Sequence, residues 1–153
     1  MRIRRALESD LGQLMAIGET AGPAAHWSPQ QWTDIFGTES PARLAWIAEE
    51  KSAEKEVRGI GFLVAQSSPE WELENIAVLH EFRHRGVGCA LLATLLEEAR
   101  ARQAERILLE VRDSNHAAIG LYVRSGFVLL SRRSDYYRSP TEDALILMHP
   151  VGN

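Results

Sequence analysis

Arg83-His84-Arg85-Gly86-Val87-Gly88-Cys89-Ala90 lies between a strand-like run and a long amphipathic stretch, and its reading decides the fold. The two glycines let the backbone turn sharply and let a ligand approach without interference from a Cβ. Free N–H groups of the turn, added to the positive end of the following helix, make a site for phosphate. Arg83 and Arg85 set guanidinium forks beside it, suited to a diphosphate. The competing reading is a plain helix start with two solvated arginines. Two other phosphate loops are excluded. The G-x-x-x-x-G-K-[ST] run is absent, and the dinucleotide fingerprint fails at its last position, Leu91, with Gly86 too far from the strand.

Outward from this turn, Gly86 to Gln103 reads as a helix, with Leu91, Leu92, Leu95, Leu96 and Ala99 on one stripe and Glu97, Glu98, Arg100 and Arg102 opposite. Trp71 to Leu79 before it is a strand. Arg106 to Val111 after it is a nearly continuous apolar run, as in a strand covered on both faces. Asn115 to Ser125 is a further helix stopped by Gly126. Phe127 to Ser131 and Asp143 to Met148 complete the strand set. Upstream, Ile3 to Leu7 is a short first strand, and Ser9-Asp10 opens a helix ending near Gly22-Pro23. Ser28-Pro29-Gln30-Gln31 is a capping box opening a second helix to about Gly37. Arg43 to Ala48 and Val57 to Gln66 form an antiparallel hairpin. The order β-α-α-β-β-β-α-β-α-β-β specifies an α/β fold with one βαβ crossover from residue 71 to 111.

The chain has 153 residues, 45% of them hydrophobic and 25% charged, which suits one domain over residues 1–150 with a short tail at 151–153. A net charge of -4 argues against holding a nucleic-acid backbone. No apolar run is long enough to span a membrane, and the acidic residues Glu8 and Asp10 break up the N-terminal segment before a secretory signal forms. Cys89 is the single cysteine, which excludes an intrachain disulfide and suits a reducing cytoplasm. The five histidines show no metal-ligand spacing on a helix, so no metal is expected. The oligomeric state is left open.

Arg83-x-x-Gly86-x-Gly88 resembles the acetyl-CoA loop of the GCN5-related N-acetyltransferases (GNAT). The flanking Asn75-Ile76-Ala77-Val78, Leu109-Glu110-Val111-Arg112, Ser114-Asn115 and Leu121-Tyr122-x-x-x-Gly126-Phe127 fit the same pattern. Trp27-Ser28 upstream, with Tyr136-Tyr137 and Glu142-Asp143-Ala144 downstream, makes the chain similar to the ribosomal-protein alanine (RimI-like) subfamily. The resemblance covers essentially the whole chain and implies a mixed, mostly antiparallel central sheet flanked by helices. It implies acetyl-CoA as co-substrate, with Ile76, Ala77 and Val78 lining the thioester through backbone groups. Arg83, His84, Arg85, Gly86, Val87, Gly88 and Cys89 match the diphosphate turn, and Asn115 matches a pantetheine contact. Cys89 stands where a basic residue is frequent in that family, and Leu79-His80-Glu81 replaces the more usual Asp-Pro pair after the strand.

Glu110 falls at the family's general base and Tyr122 at its general acid. An attacking amine must be neutral and a departing thiolate needs a donor, so the two roles make chemical sense. Independently of the family, a carboxylate ending an apolar run is either paired, here with Arg112, or functional. Tyr122 shares a helix face with Asn115 and is otherwise a half-buried core aromatic. Cys89 reads as a small buried helix residue. Tyr136-Tyr137 is either a wall of a peptide slot or packing. Glu70, Glu72 and Glu74 either draw in a basic protein tail or form a solvated strand face.

The amine's own basicity favours a protein N-terminus as acceptor, and the resemblance implies that of a ribosomal protein. An α-amine of pKa about 7.7–8.0 is neutral roughly one time in ten at pH 7, a lysine of about 10.4 roughly one time in 2500. The difference is about 3.5 kcal/mol of deprotonation work. The alternatives are acetylation of a small-molecule amine, and a non-catalytic acyl-CoA-binding module.

Overall fold

The first strand, β1 (Arg2–Arg5), leads through a 3-10 turn at Glu8–Asp10 into α1 (Leu11–Thr20), in a computed structural model that describes residues 1–20, 27–38 and 41–152. There follow α2 (Pro29–Asp34), β2 (Ala42–Lys51), β3 (Val57–Ser68), β4 (Glu72–Val78), α3 (Val87–Ala101), β5 (Arg106–Arg112), α4 (His116–Arg124), β6 (Val128–Tyr137) and β7 (Glu142–Pro150). Among the described residues the strands form one sheet in the order β1-β2-β3-β4-β5-β7-β6. Every neighbouring pair is antiparallel except β4 and β5, which α3 joins as a crossover. Element order and mixed sheet are those the sequence predicts.

Local chemistry explains most boundaries. Ser28 caps α2 through the expected reciprocal pair: its hydroxyl accepts from the Gln31 N–H at 3.3 Å, and Gln31 Oε1 accepts from the Ser28 N–H at 2.8 Å. The preceding Trp27 stacks edge-on against Trp32 at 5.2 Å, a hydrophobic staple that fixes the entry angle. This helix stops at Asp34 rather than near Gly37, because Ile35 and Phe36 donate three residues back, to Trp32 and Thr33, and the last turn tightens. The expected stop of α1 at Gly22-Pro23 lies outside the described residues. The sixth strand runs to Tyr137, well past Ser131, because β7 templates it through two register shifts.

The sheet buries apolar side chains on both faces. On one face α3 sets Leu91, Leu92, Leu95, Leu96 and Ala99 against Leu63, Ile107, Leu109 and Leu147. Each such leucine contributes about 1.5–3 kcal/mol of burial. On the other face Leu14 and Ile17 of α1 and Trp32 of α2 cover Ile47, Phe62, Val64 and Ala77. The fifth strand departs from its expected pattern: it alternates rather than being covered on both sides. Ile107, Leu109 and Val111 are buried on the α3 face, while Leu108 is half-buried and Glu110 exposed on the other.

At the sheet's β1 edge, Arg4 donates to both carboxylate oxygens of Asp10 (2.8 and 2.9 Å) and to Glu49 at 3.0 Å. The hydrogen bonds from Arg4 hold the Asp10 carboxyl below its usual range against the opposing effect of burial. A depressed carboxyl stabilises the fold above its unfolded pKa and loses that contribution as pH falls through the folded value. Asp10→Asn should therefore lower stability by about 2 kcal/mol at pH 7. Thermal unfolding should show the gap between variant and parent narrowing in acid; an equal loss at every pH would contradict this account.

Candidate active site

Parallel strands β4 and β5 pair at one register position, Glu72 opposite Leu108, where the Leu108 N–H donates to the Trp71 carbonyl at 3.0 Å. Beyond it the two strands part. The β3 side of β4 stays paired as far as Val78 against Gly61, but a register shift falls where Val64 faces Asn75 and Ala65 faces Leu73. This bulge at Glu74 adds a residue, turns the following side chains over and increases local twist. Beyond Leu73, among the described residues, the edge of β4 from Glu74 to Val78 that faces β5 has no strand partner. Ile76 and Val78 lean toward the α3 core, and Ala77 is buried on the opposite side.

The gap leads to the glycine turn. His84 (φ 62°) and Gly86 (φ 81°) both adopt the left-handed conformation, an alternation that bends successive N–H groups inward. Gly86 caps α3 with no side-chain hydrogen bond, leaving the helix's positive end exposed. A Cβ on Gly86 would meet nothing within 4 Å, whereas one on Gly88 would stand 3.0 Å from Leu121. The first glycine thus keeps the turn open, and the second lets α4 approach α3. Arg83, His84 and Arg85 are exposed, Arg85 resting over the Phe82 ring at 5.2 Å, and Arg83 Nε donates to the Val78 carbonyl at 3.3 Å. Val87 is buried beneath the turn. Cys89, expected to be a small buried residue, is exposed on the outer side of the first turn.

On the α2 face a cleft of about 240 Å³ is lined by Trp27, Gln31, Arg43, Glu72, Leu73, Glu74, Glu110 and Tyr137. Arg43 is held by Glu74 through bonds of 2.7 and 3.2 Å. Glu110 pairs with Arg133 at 3.5 Å, not with Arg112 as its neighbourhood in sequence suggests. Arg112 instead turns to Glu142 at 3.3 Å and lies 4.1 Å over the Tyr137 ring. Burial first, then the Glu110 charge, pushes the Tyr137 phenol above its usual value. Burial also raises the Glu72 carboxyl, reinforced by Glu110, Glu74 and Glu70. Glu70 itself is drawn away to Arg106 at 3.1 Å.

Tyr122 occupies the other side of the sheet. It is 8% exposed in the α3-face core, against Phe127 at 5.9 Å, and burial pushes its phenol up to about 12. The charge of Tyr137 adds to this upward shift. Asn115 Oδ1 accepts from the Ala118 N–H at 3.2 Å and caps α4, which commits its oxygen and leaves its amide group as the donor. The loop before the cap is tied down by Glu142, which accepts from both the Ser114 N–H (3.0 Å) and hydroxyl (2.8 Å). Glu110 and Tyr122 therefore stand on opposite faces of the sheet. Sequence reasoning did not single out Arg43, Arg133 or Gln31. Arg43 and Glu74 lie 31 positions apart and carry no local signal of their pairing.

Residues 10–127 match the family model described as the acetyltransferase (GNAT) family. The [ribosomal protein bS18]-alanine N-acetyltransferase of Salmonella typhimurium is 43% identical over 84 residues, 54% of this chain and 57% of that protein. This chain thus spans little more than half the length of that curated relative. An N-alpha-acetyltransferase of Sulfurisphaera tokodaii is 30% identical over 168 aligned positions, covering 98% of this chain and 93% of that one. The crystal structure of the ribosomal-protein-S18-alanine N-acetyltransferase from Escherichia coli superposes with a TM-score of 0.84 at 30% identity, over 99% of this chain and 94% of that one. With the splayed strand pair, the open glycine turn and these matches together, the chain belongs to the acetyltransferase (GNAT) family.

Proposed function

We propose that this protein transfers acetyl from acetyl-CoA to the α-amine of a protein N-terminus, as its ribosomal-protein-alanine relatives are named for doing. The observation that supports this reading best is Glu110 in the cleft on one face of the sheet, with Tyr122 in the core on the other face. A thioester threaded between β4 and β5 meets an amine from the cleft side and releases its sulfur toward the buried phenol. The diphosphate sits on the amides following Arg85, the pantetheine arm runs along Ile76, Ala77 and Val78, and the Asn115 amide donates to it.

In the reaction the terminal ammonium loses a proton to Glu110, directly or through water, and the neutral nitrogen attacks the thioester carbon. A backbone N–H of β4 near Val78 stabilises the oxyanion. The C–S bond then breaks and Tyr122 donates to the departing sulfur. A phenol near 12 stays protonated throughout the physiological range. It is also about 3.5 units less acidic than a thiol near 8.5, so its contribution is a strong hydrogen bond, with net protonation completed from the amine.

Three outcomes test the reading. Release of coenzyme A should be faster with alanine-starting peptides than with polyamines or free amino acids; the reverse order would point to a small-molecule acceptor. Tyr122→Phe should lower kcat by about 100-fold, with the acetyl-CoA dissociation constant unchanged by calorimetry. In a spectrophotometric titration the same variant should lack the phenol that ionises near 12 in the parent. Gly86→Ala has open space for its methyl group and should cost the fold about 1 kcal/mol for the left-handed backbone. It should nevertheless weaken acetyl-CoA binding, because the new methyl group stands where the diphosphate approaches; an undiminished affinity would move the diphosphate elsewhere.

A further inference from the structure

The cleft's charges do not balance among themselves. Glu74 is neutralised by Arg43 at 2.7 Å, and Glu110 faces Arg133 at 3.5 Å. Glu72, half-buried between them, makes no ion pair with any described residue. The register fixes its position. Glu72 stands opposite Gln66 on β3 and Leu108 on β5. Gln66 shares a face with Val64, which belongs to the α1/α2 core, and Leu108 shares a face with Glu110, away from the α3 core. Glu72 and Glu110 therefore project from neighbouring strands onto the same face, at the point where those strands begin to part.

Asn75 adds an independent sign of a missing partner. It stands opposite Val64, so the bulge returns it to the face that carries Glu72. It is only 7% exposed, yet its Nδ2 has no hydrogen-bond partner among the described residues. A buried amide donor and a half-buried carboxylate, both unmatched, call for a ligand bearing a cation beside an acceptor oxygen. The first residue of a polypeptide has that arrangement: an ammonium next to a carbonyl.

We infer that Glu72 is a specificity-determining residue that seats the acceptor's terminal ammonium beside Glu110 in the cleft the two carboxylates line, with the buried Asn75 amide on the same face of β4. This rests on the acetyl-transfer reading of the same site. Glu72 positions the nitrogen, and Glu110 removes its proton. An acceptor that brings no ammonium leaves Glu72 desolvated and unpaired, so the cleft selects for acceptors that arrive with a charged terminal amine.

Glu72→Gln, assayed with the hexapeptide amides Ala-Ala-Gly-Ala-Ala-Gly and Ala-Arg-Gly-Ala-Ala-Gly, tests the assignment. The acceptor KM should rise about 10-fold for both peptides, with kcat within twofold of the parent and acetyl-CoA affinity unchanged. Glu72→Asp should recover part of the loss, and Glu110→Gln should show the opposite split, a fall in kcat. An unchanged KM in Glu72→Gln, or a fall in its kcat alone, would overturn the inference while leaving acetyl transfer intact. A KM rise confined to the arginine peptide would overturn it too, by giving Glu72 to the second side chain. Absence of coenzyme A release from either peptide by the parent protein removes the transfer reading itself, and this inference falls with it.

Discussion

One strand pair governs this molecule: β4 and β5 meet at Glu72 and Leu108 and then separate. A parallel pair ordinarily gains a hydrogen bond with each step, so a pair that stops early leaves donors and acceptors exposed along its inner edges. The sheet tolerates this because each strand is secured on its outer side, β4 by β3 and β5 by β7 over its whole length. The crossover helix α3 then packs under both with a full apolar stripe. The opening is a local defect in a sheet otherwise closed, and the proposed chemistry is arranged around that defect.

The same defect explains why the proposed reacting groups come from distant parts of the chain. Glu110 lies on the α2 face because β5 alternates, and among the described residues no helix packs on that face of it. Tyr122 lies in the core on the other face, carried by α4, which packs closely on α3, an approach allowed by the absence of a side chain at Gly88. Glu142 fixes the start of α4 through Ser114 and steadies Tyr137 through Arg112. One carboxylate on β7 thereby sets the position of an aromatic on each side of the sheet.

Element order, the crossover and the glycine turn were legible in the sequence because each has a local signature: the apolar stripe of α3, the Ser28 capping box, Gly126 at a left-handed helix end. What was not legible depends on non-local pairing. The even apolar texture of Arg106 to Val111 suggested a strand covered twice; only the fold shows that α1 and α2 stop short of β5. The partner of Glu110 proved to be Arg133 on β6, because antiparallel pairing through β7 brings that residue closer than Arg112, whose side chain is taken by Glu142 and Tyr137. Cys89 was read as buried from its type, but the helix phase that buries Val87, Leu91 and Leu92 turns it outward. The bulge at Glu74 has no proline or glycine to announce it, and with it the placement of Asn75 was hidden.

That bulge is where stability and function conflict most directly. An asparagine more than nine-tenths buried with an unmatched donor is unfavourable, and so is a carboxylate pushed up by burial next to three others. A sheet built for stability alone would place apolar residues at both positions, as Val64 and Ile47 do nearby on the same face. A ligand cation that pairs with Glu72 offsets the desolvation of that carboxylate, so binding gains what the burial of Glu72 costs the fold. The unmatched polar groups of β4 are thus a stored preference for one kind of acceptor, written into the same bulge that opens the sheet.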